Sequence, residues 1–352
     1  MTVVHVLQPF ASGVITAVVS ITEQLPKIKH VVVHGVKLLV DDEARVKAKF
    51  PPGVRFIPWK SAGREISPRE DLKALAELAG ILREFKNGDT VIHLHSSKAG
   101  FLGRLACRFL GIKRVVYTPH CGGFVRTDIG PLKRRFFRFL EWFGGRLGGT
   151  VVGCGKSEAE LYRGLGKRVL WVSNGVSLTP PAKDDNPSLV SFSGVAVLQK
   201  NPALFNALAL AVGEGDFCWI GDGPLRDRLT AKNITVTGWV DRAALEGLLN
   251  RTLVFLSTAS WEGLPFGVLE AMNASCALLL KDVPGNRDLV IPGENGRLFG
   301  SPREGIEKLS SMLKDREGTL KMGRKSRELA EKFYSVERMG IEYGKIYTSM
   351  VG

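Results

Sequence analysis

Two glutamates, Glu262 and Glu270, stand with seven residues between them in the stretch Ser260–Glu270, S-W-E-G-L-P-F-G-V-L-E. The stretch follows the apolar run Leu253–Ser257, which reads as a buried strand. Ligands of open parallel sheets bind beyond the carboxyl ends of the strands, so both carboxylates fall where a ligand is expected. Glu270 is flanked by Val268, Leu269, Ala271 and Met272. A carboxylate in such a setting needs hydrogen-bond donors, and a ribose diol would supply two. Glu262, in the loop, can face a hexose. The helix start near Pro265–Val268 offers free amides and a positive dipole end to a diphosphate, although Pro265 itself has no amide to give. The plain alternative is a pair of solvated surface glutamates around a helix start.

Other residues invite the same question. His93 and His95 alternate on one strand and share a face, a spacing that could ligate a metal. No third ligand is apparent from sequence, so no metal site is expected. His5 and His34 lie in or beside apolar runs and read as satisfied core or strand-end residues. Lys98 precedes an expected helix over 100–110. A cation there is locally unfavourable, so an anionic neighbour is expected, such as an acceptor phosphate; the alternative is a solvated loop lysine. Between Arg126 and Arg146, the residues Lys133, Arg134, Arg135, Arg138 and Arg146 interleave with Phe136, Phe137, Phe139, Leu140, Trp142 and Phe143. This is the composition of a basic amphipathic helix lying on an anionic bilayer. An ordinary helix packing its aromatics on a sheet would look similar, and a mixture of the two is expected.

The elements that must position these residues alternate along the whole chain. Strands read Val3–Leu7, His30–Val33, Arg55–Pro58, Thr90–His95, Arg114–Thr118, Thr150–Gly153 and Arg168–Val172. After residues 178–188, rich in Pro, Asp and Lys and without periodicity, they resume at Leu189–Phe192, Phe217–Ile220, Ile234–Thr237, Leu253–Ser257, Ala277–Lys281 and Gly296–Phe299. Helical patterns lie between them, and the tail from Pro302 is helical, ending in 336–351. This is an α/β chain with two doubly wound parallel-sheet domains in tandem. The first spans 1–177, residues 178–188 are a linker, and the second spans 189–335; the last helix, 336–352, is expected to pack back on the first domain. Two such domains facing a cleft would share a site.

The 352 residues suit two domains. No apolar run is long enough for a membrane span, and the first residues read as a strand and not a signal peptide. Five scattered cysteines form no C-x-x-C pair, which fits a reducing cytoplasm. The net charge of +14 attracts anions, whether nucleic acid, anionic lipid or phosphorylated substrates.

Ordered blocks decide among these. The pattern S-x-E-G-x-x-x-G-x-x-E resembles the E-x(7)-E signature of the retaining glycosyltransferases of family 4, which have the GT-B fold. Ser12-Gly13 resembles that family's first glycine loop. His95–Gly100 with Gly103-Arg104-Leu105, and Tyr117–His120, resemble blocks of its capsule and exopolysaccharide members. Ser173–Val176, Gly221–Pro224, Gly238–Val240, Gly285–Asp288 and Glu294–Gly296 follow in order. Each block alone is weak, and together they are specific.

The resemblance implies a residue-by-residue assignment. Glu270 holds the ribose hydroxyls, and Glu262 contacts the donor sugar near its anomeric centre. His120 reaches the donor hexose, and Lys200, after Ser193-Gly194, binds the diphosphate. Gly13 lets backbone approach the phosphates. Gly221, Gly223, Trp239, Val240 and Leu264 belong to the donor loops. Two departures stand out. Val195 occupies the position of the family's phosphate-binding arginine, and Arg287 is the candidate substitute. Leu264-Pro265 replaces the usual Phe-Gly. The implied reaction is retaining transfer of a hexose or N-acetylhexosamine from a nucleotide sugar, expected to be a UDP-sugar, to a glycan or polyprenyl-linked acceptor, without metal or cofactor. The implied location is cytoplasmic, on the inner face of the cell membrane, with an anionic membrane surface as partner at Lys98, Lys133, Arg134, Arg135 and Arg138. The competing readings are a GT-B protein that is not a transferase, kept open by Val195, and a nucleic-acid-binding protein, which the charge alone suggests and no motif supports.

Overall fold

The computed structural model describes residues 1–10, 12–36, 43–63, 65–180, 182 and 184–352, with Ser12 described by its backbone only. Positions 181 and 183 of the expected linker lie outside the described residues. The chain divides into two compact units. One comprises 1–125, 129–175 and 336–352; the other comprises 126–128 and 176–335.

The first unit begins with β1 (Thr2–Leu7), α1 (Ser12–Gln24), β2 (Lys29–Gly35), α2 (Glu43–Lys47), β3 (Arg55–Trp59), α3 (Pro68–Arg83) and β4 (Thr90–His95). It continues with α4 (Ser97–Leu110), β5 (Val115–Thr118), α5 (Pro131–Leu147), β6 (Thr150–Gly153), α6 (Lys156–Tyr162) and β7 (Arg168–Trp171). The second unit holds β8 (Leu189–Ser193), α7 (Pro202–Val212), β9 (Phe217–Ile220), β10 (Ile234–Val236), α8 (Arg242–Asn250), β11 (Thr252–Ser257), α9 (Phe266–Asn273), β12 (Ala277–Lys281), β13 (Gly296–Phe299), α10 (Pro302–Lys314) and α11 (Arg316–Phe333). The last helix, α12 (Val336–Val351), belongs to the first unit.

Each unit is one parallel sheet. The strand orders are β3-β2-β1-β4-β5-β6-β7 and β10-β9-β8-β11-β12-β13. All pairings between the named strands are parallel. Central strands such as β1, β4 and β11 are buried along nearly their whole length, which explains their near-continuous apolar or small-polar sequences. Helix ends follow local signals. Asn201 accepts from the Leu204 amide ahead of α7, Ser301 from Glu304 ahead of α10, and Asp315 from Gly318 ahead of α11. Lys98 corrects its expected position: α4 starts at Ser97, so this lysine sits inside the first turn. No described helix is long and apolar enough to cross a membrane.

One face of the first sheet packs Val4, Val6, Val31, Val33, Ile92 and Leu94 under α3 and α4. The opposite parity carries Leu7 and Val32, which pack with Ile15, Val18 and Phe50. It also carries five buried histidines, His5, His30, His34, His93 and His95.

Helix α5 packs one of its aromatics and exposes the others. Its buried stripe is Glu141, Gly144 and Gly145, at helical spacing of three and four. Glu141 takes a hydrogen bond from Arg104 at 3.0 Å and one from the Tyr117 hydroxyl at 2.8 Å. The Arg104 guanidinium lies 4.3 Å from the Tyr117 ring centroid. A Cβ at Gly144 would come within 2.5 Å of that guanidinium, so glycine is required for the approach. Phe137 alone among the helix's aromatics joins the core. Leu132, Phe136, Phe139 and Phe143, a stripe on the opposite side, are exposed, as is Trp142. The helix docks through a buried ion pair, small residues and Phe137, and turns most of its aromatics outward.

Removing one partner of a buried ion pair leaves the other uncompensated, at a cost of about 3–5 kcal/mol. Glu141→Ala should lower the stability of the first unit by about that amount in urea unfolding. Arg104→Met combined with Glu141→Leu should recover most of it. A loss under about 1 kcal/mol in the single variant would show that α5 is held by something else.

Candidate functional site

In the second unit the loops after β8, β9 and β11 meet. The Gly194 amide donates to Ile220 O at 2.9 Å, Ala196 N to Asp222 O at 2.8 Å, and Leu225 N to Ala196 O at 2.9 Å. Backbone lies directly on backbone. A Cβ on Gly221 would be 2.3 Å from the Gly194 carbonyl oxygen, and one on Gly223 would be 2.6 Å from Ala196 N. Both have positive φ, 139° and 157°, so glycine is demanded by space and by conformation. The Trp219 indole N–H donates to Gly194 O at 3.0 Å and fixes the same turn.

The next turn carries Lys200. Its carbonyl accepts from Thr258 Oγ1 at 2.8 Å; Gln199 O accepts from the Ser260 amide at 2.7 Å, and Gln199 Nε2 donates to Trp261 O at 2.9 Å. These bonds staple the turn to the loop that carries Glu262, and Lys200 Nζ donates to Glu262 Oε1. Glu262 is 7% exposed and Lys200 21%. The two residues expected to meet donor sugar and diphosphate therefore neutralise each other. Val195, half-buried in the same loop, adds no charge.

Glu270 looks elsewhere. It lines a groove between α8 and α9 with Arg242, Glu246, Asn273, Thr179 and Pro180; Lys200 and Glu262 are not part of that lining. Burial pushes its carboxyl up to about 7, only partly opposed by the Arg242 guanidinium 4.0 Å away and reinforced by Glu246. Trp239 and Val240 are exposed, at 55% and 37%. Leu264 is buried. Arg287, the candidate substitute cation, is exposed and donates to Asp282. It must leave that carboxylate to act elsewhere.

In the first unit, Gly13 lies exposed in the first turn of α1. His120 follows β5 with φ of 50° and is half-buried. Its Nε2 lies 3.0 Å from His95 Nδ1. His95 Nε2 is 3.1 Å from His5 Nδ1, and His5 Nε2 is 3.2 Å from His30 Nδ1. His93 is held separately by the Tyr347 hydroxyl at 2.7 Å and Thr118 Oγ1 at 2.9 Å. Desolvation lowers all five rings, His120 to about 4. His5 is the third nitrogen beside His93 and His95 that the sequence did not reveal: ligand atoms of all three lie within 4.8 Å of one another. That corrects the expectation of no third ligand, although His5 and His95 bond each other and His93 has two partners of its own.

Lys98 has an anionic neighbour, but within the chain. Its Nζ lies 2.6 Å from Asp71 Oδ1 and donates to Glu65 O. Lys133, Arg134, Arg135 and Arg138 are all exposed on α5.

The structure thus gathers Gly194, Gly221, Gly223, Lys200 and Glu262 in one loop cluster. His5 and His30, partners of His120 at one and two removes, carried little signal in the sequence. The one clue is register: His5 pairs with His93 across β1 and β4, which period-two alternation could suggest only once strand order is known.

Comparison with known proteins agrees with this architecture. Residues 12–175 match the glycosyl transferase 4-like domain, and residues 181–329 match glycosyl transferases group 1. The chain is 28% identical, over 82% of its length and 81% of the relative's, to UDP-Gal:alpha-D-GlcNAc-diphosphoundecaprenol alpha-1,3-galactosyltransferase of Escherichia coli. Among solved structures, sucrose-phosphate synthase of Thermosynechococcus elongatus superimposes with a TM-score of 0.81 at 17% identity, covering 99% of both chains. The Anabaena protein HepE in complex with UDP-glucose does so with a TM-score of 0.78 at 16% identity, covering 99% of this chain and 100% of that one. Two family matches that together span nearly the whole chain, on two Rossmann-like parallel sheets, place the protein among the group 1 glycosyltransferases of the GT-B fold.

Proposed function

We propose that this chain transfers a hexose or N-acetylhexosamine, with retention of anomeric configuration, from a UDP-sugar to a glycan or polyprenyl-linked acceptor in cell-surface polysaccharide synthesis. The observation that carries the reading is the Lys200–Glu262 pair held beside the Gly194–Gly221–Gly223 backbone cluster at the carboxyl ends of β8, β9 and β11. Backbone without side chains can approach a diphosphate closely. Lys200 supplies a cation for the negative charge that develops on the diphosphate as it leaves, and Glu262 is released to the donor sugar. His120 is assigned to the donor hexose. The sugar C1–phosphate oxygen bond breaks, the acceptor oxygen bonds C1 on the same face, and the acceptor proton passes to the departing phosphate oxygen. No protein nucleophile, metal or cofactor enters this scheme; positioning and electrostatics carry it. The similarity to an enzyme named for UDP-Gal and a diphosphoundecaprenol-linked acceptor supports the nucleotide and the lipid-linked acceptor.

Helix α5 supports a peripheral site on the cytoplasmic membrane face. Its exposed Leu132, Phe136, Phe139, Trp142 and Phe143 lie beside exposed Lys133, Arg134, Arg135, Arg138 and Arg146. An apolar stripe with basic neighbours suits a leaflet of anionic lipid. Lys98, already paired with Asp71, is less available to an acceptor phosphate, and Arg287 acts on the diphosphate only after leaving Asp282.

Val195, in place of a fixed cation, favours one other reading, a nucleotide-sugar-binding GT-B protein that does not transfer. A donor assay separates the two. Wild type should release UDP slowly from a UDP-sugar without acceptor, and Lys200→Ala should reduce the rate by about 10²–10³-fold. Thermal stabilisation by UDP-sugars without any release or transfer would favour the non-transferase.

Glu270 makes the donor affinity depend on pH. Its raised pKa of about 7 means that the unliganded protein binds a proton there through neutral pH, whereas ribose hydroxyls donate to the ionised form. UDP-sugar affinity should therefore fall as pH drops from 8 to 6, approaching about tenfold per unit at the acid end. In Glu270→Gln, titration calorimetry should find a flat profile; an unchanged pH slope would remove Glu270 from the ribose.

Reversing the charge at Lys133, Arg134, Arg135 and Arg138 to Glu should abolish cosedimentation with acidic liposomes while leaving UDP release intact. Equal sedimentation of wild type and variant would end the membrane assignment.

A further inference from the structure

We infer that His120 is held as the Nε2–H tautomer by a one-way chain of hydrogen bonds that starts at the Leu25 carbonyl and runs through His30, His5 and His95. The inference rests on the reading of His120 as a residue facing the donor sugar, and gives it a specific chemical role there.

The direction is fixed at one end. Leu25 O lies 3.1 Å from His30 Nε2, and a carbonyl can only accept, so His30 carries its proton on Nε2. Its Nδ1 is then a lone pair and must accept from His5 Nε2 at 3.2 Å. His5 Nδ1 in turn accepts from His95 Nε2 at 3.1 Å. His95 Nδ1 accepts from His120 Nε2 at 3.0 Å. Each neutral ring has one N–H and uses it once. The four rings sit on β2, on β1, on β4 and just beyond β5, which are successive neighbours in the sheet, so the chain crosses the strands one at a time.

Running the chain the other way would need a second proton on one ring. Burial works against that charge: desolvation is the first cause lowering His5, His30, His95 and His120. Among the described residues no other hydrogen-bond partner of the His120 ring is found. Its Nδ1 is therefore a lone pair on a half-buried ring. A sugar hydroxyl can donate to it; a carboxylate cannot. The site selects a donor with a hydroxyl at that position over a uronic acid. His30, His5 and His95 are positioning residues for this acceptor.

The test uses the full chain labelled with ¹⁵N at its six histidines. Long-range ¹H–¹⁵N correlation at pH 7.5 should show His120 as the Nε2–H tautomer. His30→Leu removes the starting acceptor chain, so His120 should shift to a mixture or to Nδ1–H, and kcat for UDP release should fall about tenfold, the equivalent of one hydrogen bond. In His30→Gln the amide N–H can donate to Leu25 O and the amide oxygen can accept from His5. Tautomer and kcat should return together, with little change in KM throughout. Finding Nδ1–H or doubly protonated His120 in the wild type would overturn the inference, whether or not the variants fold. So would an unchanged His120 tautomer in folded His30→Leu. The tautomer is read without turnover: if it follows the expected pattern while His120→Ala releases UDP normally, the chain stands and the sugar-facing assignment of His120 falls.

Discussion

Parallel pairing is the constraint on which everything else rests. When every strand in a sheet runs the same way, every carboxyl end emerges on the same edge, and the loops that leave those ends can meet there around a ligand. His95 and His120 leave β4 and β5 at such an edge. Gly194, Gly221 and Thr258–Glu262 leave β8, β9 and β11 at another. Residues 62 positions apart, Lys200 and Glu262, become neighbours for this reason alone. Nothing about either side chain requires the other; the sheet brings them together.

Much of the fold could be read in the sequence because burial on both faces writes itself as long apolar runs. The runs at Thr90–His95, Phe217–Ile220, Ala277–Lys281 and Gly296–Phe299 coincide with β4, β9, β12 and β13. Helix starts were less legible where the first turn is polar, as at Lys98. The loop cluster could be located through its glycines and through Glu262, whose neighbours form recognisable blocks. The histidine chain could not, because its links depend on strand order and ring orientation and not on spacing. Helix α5 was legible as amphipathic, but amphipathicity does not say which side faces in. The deciding partners, Arg104 and Tyr117, lie 37 and 24 positions away.

Charge is used differently in the two units. The first buries a complete ion pair at Arg104 and Glu141 and keeps its histidines neutral, so its interior carries no net charge at those points. The second leaves its polar groups poised: Lys200 against Glu262, Arg287 against Asp282, and Glu270 near neutrality with one distant guanidinium. Each of these groups has a partner from which an anion or a diol could take it at modest cost. Groups held this loosely are suited to exchange partners when a ligand arrives.

The inverted seating of α5 has a consequence for how such proteins can diversify. Its attachment runs through a stripe of glutamate and glycines together with Phe137, and most of its outward aromatics and cations are exposed. Residues freed from folding can drift. The outer face of this helix can therefore be rewritten, more greasy or less, more basic or less, while the sheet behind it remains the same.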